Sequence, residues 1–181
     1  MKTYCAFLRG VNVNGKTMKM SEACEALRQA GFTGVVSVLA RGNLIFQSDM
    51  PRSELRGFLE RTLSAHYGDS INLFVKSSDE VSDMLAEVPF EEDAELHIYV
   101  FICEPGFEEM LLHEFGQITP SANETAKIKR GQFYWRCSKG ATLDSGFSKI
   151  LGRKNMRDKF TSRNIGTMAK VAAKMSAGQV G

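Results

Sequence analysis

The residues whose types and spacing could do chemistry begin near the N-terminus, where positions 10–17 read GVNVNGKT and fit the phosphate-loop pattern GxxxxGK[ST]. In such a loop, backbone N–H groups hold phosphates, the lysine reaches the terminal phosphate and the hydroxyl binds Mg²⁺. The two valines are bulky for this task, the best helix N-cap is the later Ser21, and no hydrophobic strand ends in an aspartate suited to Mg²⁺. A small phosphotransferase using Lys16 and Thr17 is therefore kept as an alternative function.

The same loop has a milder interpretation as an anion-binding site. Arg9 and Lys16 supply positive charge, and Gly15 allows a ligand to approach the backbone closely. The competing interpretation is a structural turn in which Asn12 and Asn14 satisfy backbone groups. If the loop binds an anion, its candidate ligand-binding residues are Arg9, Asn12, Gly15 and Lys16.

A second candidate anion site lies where the last helix is predicted to begin. Thr161 is the predicted N-cap, with Phe160 and Ile165 as a hydrophobic staple. The candidate ligand-binding residues are those of the first turn, Ser162, Arg163 and Asn164. Simple capping of the helix is the alternative. If this helix start and the N-terminal loop meet in space, we expect one basic cleft that also includes Asn43.

A predicted hairpin around Arg130-Gly131 offers a third candidate, a nucleic-acid surface. Alternation along its strands puts the basic residues and one aromatic on the same face, with Lys127, Lys129, Tyr134 and Arg136 as the candidates. Such a face can bind a single strand by phosphate contact and stacking. Because one tyrosine is fewer than ferredoxin-like RNA binders usually show, a solvated outer face is the alternative.

Charge is distributed unevenly along the chain. Residues 1–126 hold 10 Lys and Arg against 19 Asp and Glu, whereas residues 127–181 hold 13 Lys and Arg against Asp144 and Asp158. The basic end includes the run Arg153, Lys154, Arg157, Lys159 and Arg163. This distribution suits a polyanionic partner. The alternatives are that the acidic middle packs beside the basic end, or that the Ser77–Ala126 segment, which has no Lys or Arg, binds a partner protein.

Composition limits the class of protein. Of the 181 residues, 43% are hydrophobic and 24% are charged, as in a globular protein with a sizeable core. The four cysteines are far apart, which is typical of buried thiols in a reducing compartment, and the three histidines lack metal-ligand spacing. No run approaches the roughly 18 apolar residues of a membrane helix. We expect a cytoplasmic monomer with no metal, no cofactor and no membrane partner.

Strands and helices must position these candidate sites. Hydrophobic periodicity predicts the order βαββαβ over residues 1–77 and a partial repeat of it over residues 78–181. The predicted fold class is α+β, with two ferredoxin-like (split βαβ) subdomains packed together. Residues 1–77 are the predicted N-terminal subdomain, and residues 78–181 are the C-terminal subdomain with the terminal helix.

Three stretches of the chain are informative when taken together. They are positions 7–16 (FLRGVNVNGK), positions 41–46 (RGNLIF) and positions 161–164 (TSRN). This combination resembles the bacterial family catalogued as domain of unknown function 1697, and the resemblance covers nearly the whole chain. It implies a duplicated ferredoxin-like fold and no enzyme class. Arg41 stands where the family commonly has serine, and Ile165 stands where it usually has an aromatic residue. If that aromatic holds a ligand, the contact is lost here, and if it only packs, Ile165 replaces it adequately.

The leading functional hypothesis from the sequence is the binding of a phosphate-bearing ligand, a nucleotide or RNA, at a basic cleft. Arg9, Lys16, Asn43 and Arg163 are its central residues. The sequence does not decide whether the protein catalyses a reaction.

Overall fold

The computed structural model describes residues 1–140 and 145–178 and divides the chain into two compact units. The first unit comprises Met1–Ser82 together with the residues from Ala169 on, and the second comprises Asp83–Met168. The domain bounds predicted from the sequence, 1–77 and 78–181, stay a prediction.

The first unit is built on a four-stranded antiparallel sheet. The elements up to Ala86 are, in chain order, β1 (Lys2–Leu8), β2 (Asn12–Val13), β3 (Lys16–Thr17), α1 (Met20–Gln29), β4 (Thr33–Ser37), β5 (Asn43–Ser48), α2 (Arg52–Tyr67), β6 (Leu73–Ser77) and α3 (Ser78–Ala86). The sheet has the order β4-β5-β1-β6, and β2 and β3 pair separately as a small hairpin.

The core of the first unit follows from its hydrophobic periodicity. Helix α2 contributes Leu55, Leu59 and Leu63, which lie four residues apart on one face and are fully buried. Burying a leucine side chain stabilises the fold by about 2 kcal/mol, so this stripe fixes the helix on the sheet. The helix ends at Gly68, whose left-handed φ of 68° is typical of a glycine that terminates a helix.

The second unit contains another four-stranded antiparallel sheet. Its elements are β7 (Leu96–Cys103), α4 (Phe107–Gly116), β8 (Thr125–Lys129), β9 (Gln132–Ser138), α5 (Gly146–Leu151), a 3₁₀ turn (Lys154–Met156) and β10 (Phe160–Asn164), after which α6 spans Ile165–Ala177. The sheet order is β10-β7-β9-β8. Aromatic rings fill its core: Phe101 meets Phe133 edge-on with centroids 5.0 Å apart, and Trp135 meets Phe147 at 5.4 Å.

Both sheets have the same internal order. Counting the sheet strands within each unit, the fourth strand lies beside the first, the first beside the third, and the third beside the second. The predicted α+β class with two units is confirmed.

Two local predictions about helix starts are wrong. Helix α1 begins at Met20 with Lys19 at the N-cap position, so Ser21 lies inside the first turn. The final helix begins at Ile165, and Thr161 belongs to β10.

Candidate functional site

The residues of the phosphate-loop pattern form a hairpin. Asn12 pairs with Thr17 and Val13 with Lys16, and the turn between them has positive φ angles at Asn14 (50°) and Gly15 (76°). These two angles are typical of a type I′ turn, which favours Asn-Gly. The next helix begins only at Met20, so the strand–loop–helix arrangement of a phosphate loop is absent from these residues.

The candidate ligand-binding residues of this loop have different roles in the hairpin. The Asn12 side chain accepts a hydrogen bond from the Thr17 hydroxyl at 3.2 Å, which ties the two short strands together. Lys16 is exposed and makes no ion pair within the described part of the chain. Arg9 directly follows β1, and its backbone N–H donates to the Asn72 carbonyl at 2.8 Å.

Asn43 has a structural role at the start of β5. Its side chain is fully buried, and its Nδ2 donates to the Val38 carbonyl at 2.9 Å, while the Val38 N–H donates back to the Asn43 carbonyl at 2.9 Å. This reciprocal pair closes the turn between β4 and β5. The side-chain amide of Asn43, a predicted ligand-binding group, therefore donates to the chain itself in this turn.

The predicted anion site at the start of the last helix is wrong in its local structure. Ser162 and Arg163 pair with Phe101 and Val100 across the β10–β7 ladder, so their backbone groups belong to a sheet and not to a helix N-terminus. Pairing with β10 satisfies the backbone groups on one side of β7, and this gain outweighs the local capping pattern. Phe160 and Ile165 consequently do not form a hydrophobic staple.

Arg163 and Asn164 are held by the backbone around them. Arg163 is 9% exposed, and its Nη1 donates to the Thr161 hydroxyl and to the Ser162 carbonyl, each at 2.8 Å. The Asn164 Oδ1 accepts from the Gly166 N–H at 2.8 Å, which makes Asn164 the N-cap that the sequence analysis missed. Asparagine is among the strongest N-cap residues, and this preference was the available signal. The predicted meeting of Arg9, Lys16 and Arg163 in one cleft stays a prediction.

The predicted hairpin around Arg130-Gly131 is present with the expected pairing. Lys127 lies opposite Tyr134, and Lys129 lies opposite Gln132. Arg130 and Gly131 have positive φ angles of 48° and 74°, as a two-residue turn requires.

The predicted exposure of Tyr134 on this hairpin is wrong. Its side chain is fully buried, and its hydroxyl donates to the Met84 carbonyl at 2.8 Å. Burial and the nearby Glu87 carboxylate raise the pKa of Tyr134 to about 12. A buried ring cannot stack on a nucleic-acid base, so this face lacks the aromatic platform that the sequence suggested.

The cations of the same hairpin have neighbours from residues 87–90. Lys129 and Arg130 form ion pairs with Glu87, with N–O distances of 3.2 Å in both cases. The Lys127 ammonium lies 5.2 Å from the centroid of the Phe90 ring, and the Arg136 guanidinium lies 5.0 Å from it. Two of the four cations of this hairpin therefore share one carboxylate, and the other two lie over an aromatic ring.

The basic run near the C-terminus is an exposed positive surface of the second unit. We define the basic segment as residues 149–159, in which Lys149, Lys154, Arg157 and Lys159 are exposed and lack an ion pair among residues 1–140 and 145–178. Arg153 differs from them because it pairs with Glu114 at 3.1 Å. The buried Arg163 does not belong to this surface.

Buried side chains fix the backbone of the basic segment. Ile150 and Met156 are 3% and 1% exposed, and they belong to the aromatic core of the second unit. The Lys159 carbonyl accepts from the Glu104 N–H at 2.9 Å, which joins the end of the segment to the residue after β7. The cations thus project from an anchored chain.

Groups suited to metal binding are not gathered in the described residues, where no cluster of three or more His, Cys, Asp or Glu could hold an ion. Burial raises the pKa of the Cys24 thiol, although Ser37 and Arg28 act in the opposite direction, and this makes Cys24 a poor thiolate nucleophile. Within the same described ranges, no helix has the length and apolar character needed to cross a bilayer.

Comparison with known proteins gives a family and a fold. Residues 1–134 match the family model described as a protein of unknown function (DUF1697). The solved structure of the conserved bacterial protein SP0830 from Streptococcus pneumoniae is similar, with a TM-score of 0.77 and 22% identity, covering 96% of this chain and 98% of that one. No curated protein matches the chain. At this level of identity, the solved structure supports the fold alone.

Proposed function

The chain belongs to DUF1697, a family of proteins of unknown function, and we propose that it binds a phosphate-bearing polyanion, a nucleic-acid strand, through the basic segment of its second unit. One observation carries this proposal: Lys149, Lys154, Arg157 and Lys159 are exposed and have no carboxylate partner in the part of the chain that the structure describes. The family itself assigns no ligand, so the proposal is based on this chain's own residues.

The uncompensated charge is what separates the basic segment from other cations of the same unit. Lys129 and Arg130 share the single carboxylate of Glu87, and Arg153 pairs with Glu114, so each of those side chains contacts a carboxylate of the same unit. A cation without a partner can replace the counterions of a phosphate backbone, and their release favours binding at low salt. The segment is therefore the part of the unit best suited to a polyanion.

A strand fits the segment better than a single nucleotide does. The four cations are spread over residues 149–159, a run of short helix, 3₁₀ turn and loop, whereas a nucleotide pocket is usually concave and largely apolar. Repeated phosphates can meet several separated cations at once. Anchoring by Ile150 and Met156 reduces the ordering cost of binding, because the backbone is already fixed.

Fluorescence anisotropy with a labelled RNA 12-mer tests the proposal. The variant Lys154→Gln/Arg157→Gln should weaken binding roughly tenfold at low salt and lower the slope of log K against log salt by about 1 to 2. A DNA strand of the same sequence and a mononucleotide serve as further probes. Binding of the mononucleotide as tightly as the strand would contradict the polyanion proposal.

The matched control removes the same amount of charge from cations that contact a carboxylate. Lys129→Gln/Arg130→Gln changes the net charge equally but removes cations that are paired with Glu87. We expect its affinity to stay within about twofold of the unchanged protein. Absence of binding at low salt, or equal losses in the two double variants, would sink the proposal.

Other functions raised by the sequence have less support. The hairpin at residues 12–17 does not resemble the loop that a phosphotransferase using Lys16 and Thr17 would need. Partner binding through the acidic Ser77–Ala126 segment stays a prediction. The repeated strand order supports grouping both units with the ferredoxin-like folds, and such folds carry many unrelated functions.

A further inference from the structure

A groove with a volume of about 500 Å³ lies in the first unit, beside the edge strand β4 and the last turn of α6. Its wall includes the cations Arg28 and Lys174, the polar side chains of Thr3 and Gln47, and the apolar side chain of Ile45. None of the described lining residues is acidic. A volume of this size is in the range of small-molecule sites.

We propose that this groove binds a small organic anion, with its carboxylate or phosphate near Arg28 and Lys174 and its apolar part against Val36 and Ile45. The groove belongs to the first unit and the basic segment to the second, so this site is independent of the proposed function. The combination of two cations, no carboxylate and an apolar wall defines the class of ligand. Carboxylates and phosphate monoesters share the required negative group.

Arg28 is held in position before any ligand arrives. Its Nη2 donates to the Val35 carbonyl at 2.9 Å, and its Nη1 lies 3.3 Å from Glu25 Oε2. Both side chains of the Arg28–Glu25 pair are half exposed, so this pair contributes little and can be exchanged for a stronger anion. Lys174 makes no ion pair within the described ranges.

Thr3 adds a polar group to the groove. Its side chain is 6% exposed and lines the groove, and its hydroxyl makes no hydrogen bond in residues 1–140 and 145–178. This hydroxyl can donate a hydrogen bond to an oxygen atom of a ligand in the groove. Gln47 is already fixed, because its Nε2 donates to the Gly178 carbonyl at 3.0 Å.

A titration followed by ¹⁵N–¹H correlation spectra tests the site with three probes of matched apolar body: butyrate, butyl phosphate and butylamine. The amides of Thr3, Gly34 and Gln47 should shift with either anion and stay unchanged with the amine. A response to butyrate alone identifies a carboxylate site, and a stronger response to butyl phosphate identifies a phosphate site. Equal shifts with butylamine, or no shifts at these amides with any probe, would overturn the proposal.

Substitutions test whether probe binding depends on the residues of the groove or only on the overall positive charge of the protein. Lys174→Gln should raise the dissociation constant of the preferred probe about threefold to fivefold, as expected for a half-exposed ion pair. Thr3→Val, which keeps the shape of the side chain, should raise it about fivefold or more through the lost hydrogen bond. Lys170→Gln is the matched control, because Lys170 is exposed on the same helix and does not line the groove. Equal effects of Lys170→Gln and Lys174→Gln would contradict the site, whereas loss of RNA binding by the basic segment would leave it unaffected.

Discussion

The two units place an Arg-Gly pair at the same point of the same strand order, directly before the third strand of each sheet. Arg41-Gly42 precedes β5, and Arg130-Gly131 precedes β9. The glycine φ angles are nearly equal, 75° and 74°. Their surroundings differ: a Cβ at Gly42 would lie 2.7 Å from the Leu8 Cβ, whereas a Cβ at Gly131 would meet nothing within 4 Å. The same local sequence therefore encodes close packing in one unit and only a turn in the other.

A second shared pattern shows the same contrast. Ser77 and Ser121 each donate their backbone N–H to the glutamate three residues later, Glu80 and Glu124, at 2.7 and 2.9 Å. Glu80 is also contacted by cations, with Lys76 at 3.1 Å and Arg52 at 3.5 Å. Glu124 is 7% exposed, and its other carboxylate oxygen accepts from the Trp135 indole N–H at 3.2 Å. One carboxylate is stabilised partly by charge and the other by neutral donors in the core.

Alanine at the two glycines should give the largest difference between the units. Gly42→Ala combines the strain of a positive φ with a clash against Leu8, and we expect it to lower the free energy of unfolding by about 3 kcal/mol. Gly131→Ala has the φ strain alone and should cost about 1 kcal/mol. Urea unfolding of both variants measures the difference, and Trp135, the single tryptophan of the chain, reports it by fluorescence. If the two variants lose the same free energy of unfolding, the packing of Leu8 against Gly42 does not add to the cost of a side chain at that position.

The sequence predicted the elements whose periodicity is long and consistent. The hairpin around Arg130-Gly131 is present as predicted. The leucines of α2, Leu55, Leu59 and Leu63, have the spacing of one helical face, which can be read directly in the sequence. These features are local: spacing and turn chemistry decide them within a few residues. The resemblance to the family is likewise confirmed by the match over residues 1–134.

The candidate sites were harder to predict because their local patterns compete with long-range pairing. Thr161 fits an N-cap, yet its segment pairs with β7, more than fifty residues earlier in the chain, and Asn164 caps the helix instead. Tyr134 falls on the basic face of a hairpin viewed alone, and its burial depends on residues near Met84. Sequence periodicity identifies which residues share a face but not what covers that face.

Truncation of the two glutamates should give the next largest difference. Glu124→Ala leaves the buried Trp135 N–H and the Ser121 N–H without their acceptor, and we expect a loss of about 2 to 3 kcal/mol. Glu80→Ala removes contacts from a side chain that is 38% exposed and should cost about 1 kcal/mol. Urea unfolding at neutral pH compares the two variants. If Glu80→Ala lowered the free energy of unfolding as much as Glu124→Ala, burial of the carboxylate would not determine how much each glutamate contributes to stability.

The smallest expected effect is the pH dependence of the Glu80 contribution. Burial alone would raise the pKa of Glu80, but the Ser77 N–H and the charges of Lys76 and Arg52 outweigh it, so the pKa is lowered on folding. A lowered folded-state pKa gives stability that is present above the unfolded-state pKa and is lost as the pH falls through the folded value. Glu80→Gln should therefore lower the free energy of unfolding by about 1 kcal/mol at pH 7 and by much less near pH 3.

A matched glutamate on the same unit separates this linkage from a general effect of removing negative charge. Glu22 pairs with Lys19 at 3.4 Å, and their side chains are 48% and 75% exposed. Glu22→Gln should change the free energy of unfolding by about 0.3 kcal/mol at most at either pH, because exposed ion pairs contribute little. If the cost of Glu80→Gln were the same at both pH values, the cations around Glu80 would not be what stabilises its charge. The two serine-to-glutamate hydrogen bonds, Ser77–Glu80 and Ser121–Glu124, would then differ only in how deeply the glutamate is buried.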